Sequence, residues 1–164
     1  MLCVLNAILS SARWTRLSRP LRYPMPNYPC DFELPDEWLI EAGMANFIRA
    51  RTAFRSTTNA VLVPLCEIEP PYRAHSHPMD WRGFDRTRLI SILRGIATEA
   101  EIEAVPLVQL PAGDPLAPTP YRYRVRDGVH RFYASIVAGF ECLPATIKSL
   151  AELLELSRNL GWRE

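Results

Sequence analysis

Lysine is almost missing from this chain: of 19 Lys and Arg residues only Lys148 is a lysine. Arginine does not give up its proton at working pH, so amine chemistry and a phosphate-loop lysine have no candidate beyond that one residue. Acidic residues are missing from the first thirty positions, which hold four arginines, Arg13, Arg16, Arg19 and Arg22. With a net charge of +1, this basic arm leaves the remainder at −3. The four cysteines contain no C-x-x-C pair and are widely scattered, which excludes a disulfide scaffold and predicts reduced packing residues. No apolar run is long enough to span a bilayer. The opening MLCVLNAILSSA has its arginines after the apolar stretch, the wrong polarity for a signal peptide, so a cytoplasmic protein with no membrane span is expected.

What is present reads as one domain of mixed α/β, or α+β, type. Five prolines in 20–35 mark a linker, so residues 1–35 form the arm and linker and 36–164 the domain. Asp36 is placed to cap a helix over 37–54, with Trp38, Ala42, Ala45 and Ile48 on its apolar side and Gly43 as a weak point. The run 60-AVLVPLCEI-68 predicts an edge or interrupted strand because Pro64 cannot donate to a ladder. Asp85 caps a second helix over 86–96, and strands follow at 104–110 and 121–126. A helix over 130–138 stopped by Gly139, a strand at 143–147 and a capping box at Ser149 and Glu152 complete the order. The sheet is small, mixed and flanked by helices.

The chemistry concentrates in 121-YRYRVRDGVHRFY-133. A strand that turns through Asp127-Gly128 straight into a helix exposes unpaired amides, with the positive end of the helix dipole behind them. Gly128 permits close approach or a positive φ, and His130 and Arg131 add donors, so the junction suits an anion. Asp127 is placed to cap the helix or to meet a metal ion or a substrate hydroxyl. A capped helix with its arginine in a salt bridge accounts for the same four residues.

The segment YRYRVRDGVHRFYASIVAGFECLPATI resembles the hallmark of the ParB/sulfiredoxin superfamily: a strand, a D-G-x-H-R box, a helix, a glycine and a short -PA- strand. VLVPLCEIEP is similar to the family's first strand, and the likeness covers about 60–148. The resemblance implies nucleotide phosphates cradled by Asp127, Gly128, Val129, His130 and Arg131, with ATP and Mg²⁺ as cofactors. Val129 stands where sulfiredoxins carry their catalytic cysteine, so sulfinic acid reduction is not expected. The helix-turn-helix domain and dimerisation tail of full partition proteins are also not expected. Free serine kinases of this fold carry a carboxylate after the first strand; Glu67 and Glu69 lie in that region, as a base or a Mg²⁺ ligand. Plasmid-borne members that inhibit DNA transfer, some linked to ATP hydrolysis and DNA cleavage, imply an ATPase with DNase activity.

Three further groups compete for roles. Arg122, Arg124 and Arg126 alternate along one strand face, and with the four arm arginines they suit nucleic-acid backbone or pair with acidic neighbours such as Glu99, Glu101 and Glu103. Tyr121, Tyr123 and Tyr133 suit core packing better than base stacking. His75 and His77, with Cys66 or Asp80, lack the remaining spacing of a closed zinc site. The expectation is a DNA-linked ATP hydrolase or phosphotransferase. The alternatives are a small-molecule (free amino acid) kinase and a non-catalytic inhibitor or adaptor that grips a protein partner through the N-terminal arm.

Overall fold

The computed structural model describes residues 21–23, 32–57, 59–71, 85–111 and 121–149. Arg13, Arg16, Arg19, the His75–His77 loop and the helix expected after Ser149 lie outside the described residues. The fold is α+β, as expected. A curled, mixed five-stranded sheet carries helices, and a separate two-stranded sheet precedes it.

That first sheet falls in the stretch expected to be an irregular linker. Strand β1 (Leu21–Tyr23) pairs antiparallel with β2 (Phe32–Leu34), in the register Arg22↔Glu33. The prolines at 20, 24, 26, 29 and 35 bracket and separate the two strands, so none interrupts the ladder. Leu34 is fully buried and joins the domain core.

Helix α1 runs only from Asp36 to Glu41, with Pro35 rather than Asp36 at its N-cap. Gly43 stops it: at φ 77° its amide donates to Ile40, and that of Met44 donates to Leu39 at 2.8 Å. Those two bonds are the Schellman arrangement, and Leu39 and Met44 are both buried beside it. The expected helix therefore ends thirteen residues early, and Ile48, placed on its buried side, is 86% exposed.

Strand β3 (Val61–Pro64) ends at its proline, a 3-10 turn spans Leu65–Glu67, and β4 (Ile68–Glu69) resumes. Helix α2 is Arg86–Ala97, β5 is Val105–Gln109, β6 is Tyr123–Val125, helix α3 is Val129–Val137 and β7 is Cys142–Lys148. The strand order is β3-β7-β5-β6-β4, so one nine-residue segment supplies both edges. A 3-10 helix rises about 2 Å per residue, so the three-residue turn bridges roughly 6 Å and the sheet must curl until its edges nearly meet. The interrupted strand read from Pro64 is this closure.

Inside the curl, Val63, Leu65, Ile68, Val105, Leu107 and Leu143 meet Leu89 and Leu93 of α2 and Phe132 of α3. Helix α3 also buries Tyr133, Ala134, Ser135 and Val137, a wider face than a surface helix shows. Burial pushes the Tyr133 hydroxyl far above its ordinary pKa, so the residue serves packing. Among the described residues no helix is long and apolar enough to cross a membrane.

Candidate functional site

Strands β4 and β6 are parallel, with Ile68 opposite Tyr123 and Glu69 opposite Arg124, so the chain leaves both at the same end of the sheet. From β6 it turns through Asp127 and Gly128 into α3. Gly128 is the N-cap, at φ 93° and ψ 31°, and no side chain caps the first turn. Asp127 therefore does not cap the helix as expected. It sits one residue too early, and its Oδ1 accepts the nearest amide, that of Gly128, at 2.7 Å. Val129 is half-buried against the core, so it offers a ligand its backbone rather than its side chain.

Arg131 points back toward the start of β5. Its Nη1 donates to the carbonyls of Glu103 at 2.9 Å and Ala104 at 3.0 Å, and to the Glu103 carboxylate at 3.2 Å. Its Nη2 lies 3.7 Å from Asp127 Oδ2, and the side chain is only 11% exposed. The guanidinium lies against Gly128 so closely that a Cβ there would stand 2.9 Å from Nε and 3.1 Å from Nη2. Gly128 is thus demanded twice, by its positive φ and by the arginine beneath it. Arg131 pins the box to β5, a salt-bridged structural use that the sequence left open beside the anion reading.

His130 makes the longest-range contact of the box. The backbone N–H of Asp85, N-cap of α2, donates to His130 Nε2 at 2.9 Å. Asp85 also accepts the amide of Arg88 on Oδ1 at 2.6 Å, the cap expected from sequence. The N-cap of α2 is therefore fastened to the first turn of α3. Burial and the guanidinium of Arg88 hold the His130 ring below its ordinary pKa of 6.5, against the opposing pull of Asp85 and Asp127. The ring is neutral near pH 7, with its proton on Nδ1 because Nε2 accepts.

Arg124 in β6 and Arg122 and Arg126 beside it are all exposed, as the alternation predicts, but two have carboxylate partners. Arg122 pairs with Glu67 at 3.3 Å, and Arg124 with Glu69 at 2.5 Å. The expected acidic partners of this stripe are engaged elsewhere: Glu99 with Arg51, Glu101 with Arg55 and Glu103 with Arg131. Glu67 and Glu69, the candidate bases, thus pair with Arg122 and Arg124, Glu69 through the parallel register of β4 and β6 and Glu67 from the 3-10 turn just before β4. Arg126 is exposed, and among the described residues no carboxylate pairs with it. Arg22 lies in β1, a strand of the separate two-stranded sheet.

Sequence reasoning passed over Arg88 and named Glu103 only as a partner for the stripe 122–126, not for Arg131. Arg88 has a local signal, being the N3 residue of a helix capped by Asp85; Glu103 has none, because its contact with Arg131 spans 28 residues. Among the described residues no three His, Cys, Asp or Glu side chains gather as a metal-ligand set. Mg²⁺ bound on a nucleotide commonly takes only one or two protein carboxylates. This chain matches no family model and no curated protein.

Proposed function

We propose that this chain binds a nucleotide by its phosphates where the N-termini of α2 and α3 meet, and hydrolyses or transfers the γ-phosphate with Mg²⁺. One observation carries the reading: the Asp85–His130 bond brings the N-cap of α2 against the first turn of α3, whose amides no side chain caps. The uncapped first-turn amides of α3, at the positive end of its dipole, favour an anion, and Arg88 adds a cation close to His130. Membership of the ParB/sulfiredoxin superfamily, which the D-G-x-H-R box suggests, is part of this proposal. The residues fit ATP at its phosphates, and Mg²⁺ would supply charge neutralisation between them. Asp127, with Oδ2 turned only loosely toward Arg131, is the box carboxylate best placed to meet that ion. In the kinase version Glu69 serves as base after release from Arg124. A DNA link runs through Arg126 and the arm, since Arg122 and Arg124 reach phosphates only by giving up Glu67 and Glu69.

The test is calorimetric titration with ATP and Mg²⁺, with phosphate release measured with and without DNA, in wild type and Arg88→Glu. Arg131→Ala is a poor probe because it unpins the box. Arg88→Glu puts a carboxylate three residues after the Asp85 cap, an arrangement helices favour, while reversing charge beside the site. Losing one charged contact is worth about 1–3 kcal/mol, so ATP affinity should fall roughly ten- to hundred-fold with the melting temperature kept. Equal affinities would sink the site.

A specific observation favours a second reading, the non-catalytic inhibitor or adaptor. Each candidate base or phosphate-binding arginine named from sequence in the box and the segment 65–69, namely Glu67, Glu69 and Arg131, is ion-paired. Absence of ATP binding by a folded wild type would select it.

A further inference from the structure

We propose that His130 is a proton-sensitive latch: protonating its ring releases the Asp85 amide and unfastens the N-terminus of α2 from the turn at 127–128. A neutral imidazole has one acceptor nitrogen, and here it is Nε2, taken by the Asp85 N–H at 2.9 Å. A protonated ring has no acceptor, so two N–H groups would face each other across that distance. The bond cannot weaken gradually; it converts from attraction to repulsion with one proton.

The groups that face the ring decide when this happens. Arg88 of α2 opposes a positive ring, while Asp85 of α2 and Asp127 of the turn support one. Burial and Arg88 lead, so the latch stays closed at neutral pH and opens only on acidification below the ring's ordinary value of 6.5. The sign follows from the lowered value in the folded chain. The latch's contribution to stability is whole above pH 6.5, where both states are neutral. It is lost as pH falls from 6.5 through the folded value, because the unfolded chain takes up the proton first. The consequence is local. Asp85 keeps its side-chain bond to Arg88 and still caps α2, but α2 is no longer moored to α3. This inference does not require a nucleotide; it concerns the two helices alone.

Nitrogen-15 spectra of the full chain between pH 8 and pH 5 test it. At pH 8 His130 Nε2 should resonate as an unprotonated acceptor. On acidification the imidazole and the Asp85 amide should change with one shared midpoint below 6.5, and the amide's exchange protection should fall roughly ten-fold or more. His130→Gln offers an acceptor oxygen that does not titrate, so its Asp85 amide should hold across the range. A protonated Nε2 at pH 8, separate midpoints in wild type, or the same midpoint in His130→Gln would each overturn the latch. The wild-type coincidence of midpoints decides the matter even if the variant folds poorly.

Discussion

Replacing Gly128 with alanine tests the central claim about Arg131. Two costs add. Alanine at φ 93° occupies backbone space that L residues avoid, worth about 1–2 kcal/mol. Its Cβ would also stand 2.9 Å from Nε, 3.1 Å from Nη2 and 3.2 Å from Cζ of Arg131. A flexible surface arginine would swing aside at little cost. This one is 11% exposed, with Nη1 bound to two carbonyls and a carboxylate, so moving it loosens charge-assisted bonds worth about 1–3 kcal/mol. The sum is about 2–5 kcal/mol, or roughly 5–15 °C in melting temperature for a chain of this size. Urea unfolding in two backgrounds separates the terms. In Arg131→Met the guanidinium is gone, and Gly128→Ala should cost only the backbone part, about 1–2 kcal/mol. Equal costs in both backgrounds would refute the pin and leave Gly128 as an ordinary turn glycine.

Glu99 occupies φ 53° after α2, with its amide donating to Ile96 and that of Ala100 donating to Gly95. That is a glycine's place filled by glutamate, so Glu99→Gly should raise stability by about 0.5–1 kcal/mol; the Arg51 pair it removes, at 3.8 Å and half-exposed, contributes little. A lower urea midpoint would show that the αL position is not strained. Glu69 is 12% exposed and Glu67 30% exposed, so Arg124→Ala should cost more than Arg122→Ala, about 1–3 against at most 1 kcal/mol by chemical denaturation. The reverse ranking would mean that solvent already screens both pairs equally.

The parts legible in the sequence are those whose cause is local. Pro64 announced the break between β3 and β4, Asp85 its cap on α2, Gly139 the end of α3, and the arginine alternation the exposed face of β6. The helix expected over 37–54 overruns α1 because propensity alone makes Gly43 only a weak helix former, whereas its positive φ and the buried pair Leu39 and Met44 make it a stop. Asp127 stands one position before the N-cap, since Asp-Gly gives either residue a claim to that place and only the turn's hand decides. The site itself was half visible. Asp85 and His130 each stood out, but 45 residues separate them, and no periodicity reports that an amide meets an imidazole. The same limit hid the partners of Arg131 and the pairing of Arg122 and Arg124 with Glu67 and Glu69.

The segment 61–69 that provides both edges of the sheet has a kinetic consequence. Val61 must find Ala145, and Ile68 must find Tyr123, before either flank is complete. Both searches close long loops, whose entropic cost precedes any gain from pairing. The helices and the β5–β6 pair can assemble beforehand. The final insertion of 61–69 then zips two seams at once, and until it does the nascent chain carries two open β-edges able to capture a neighbouring molecule.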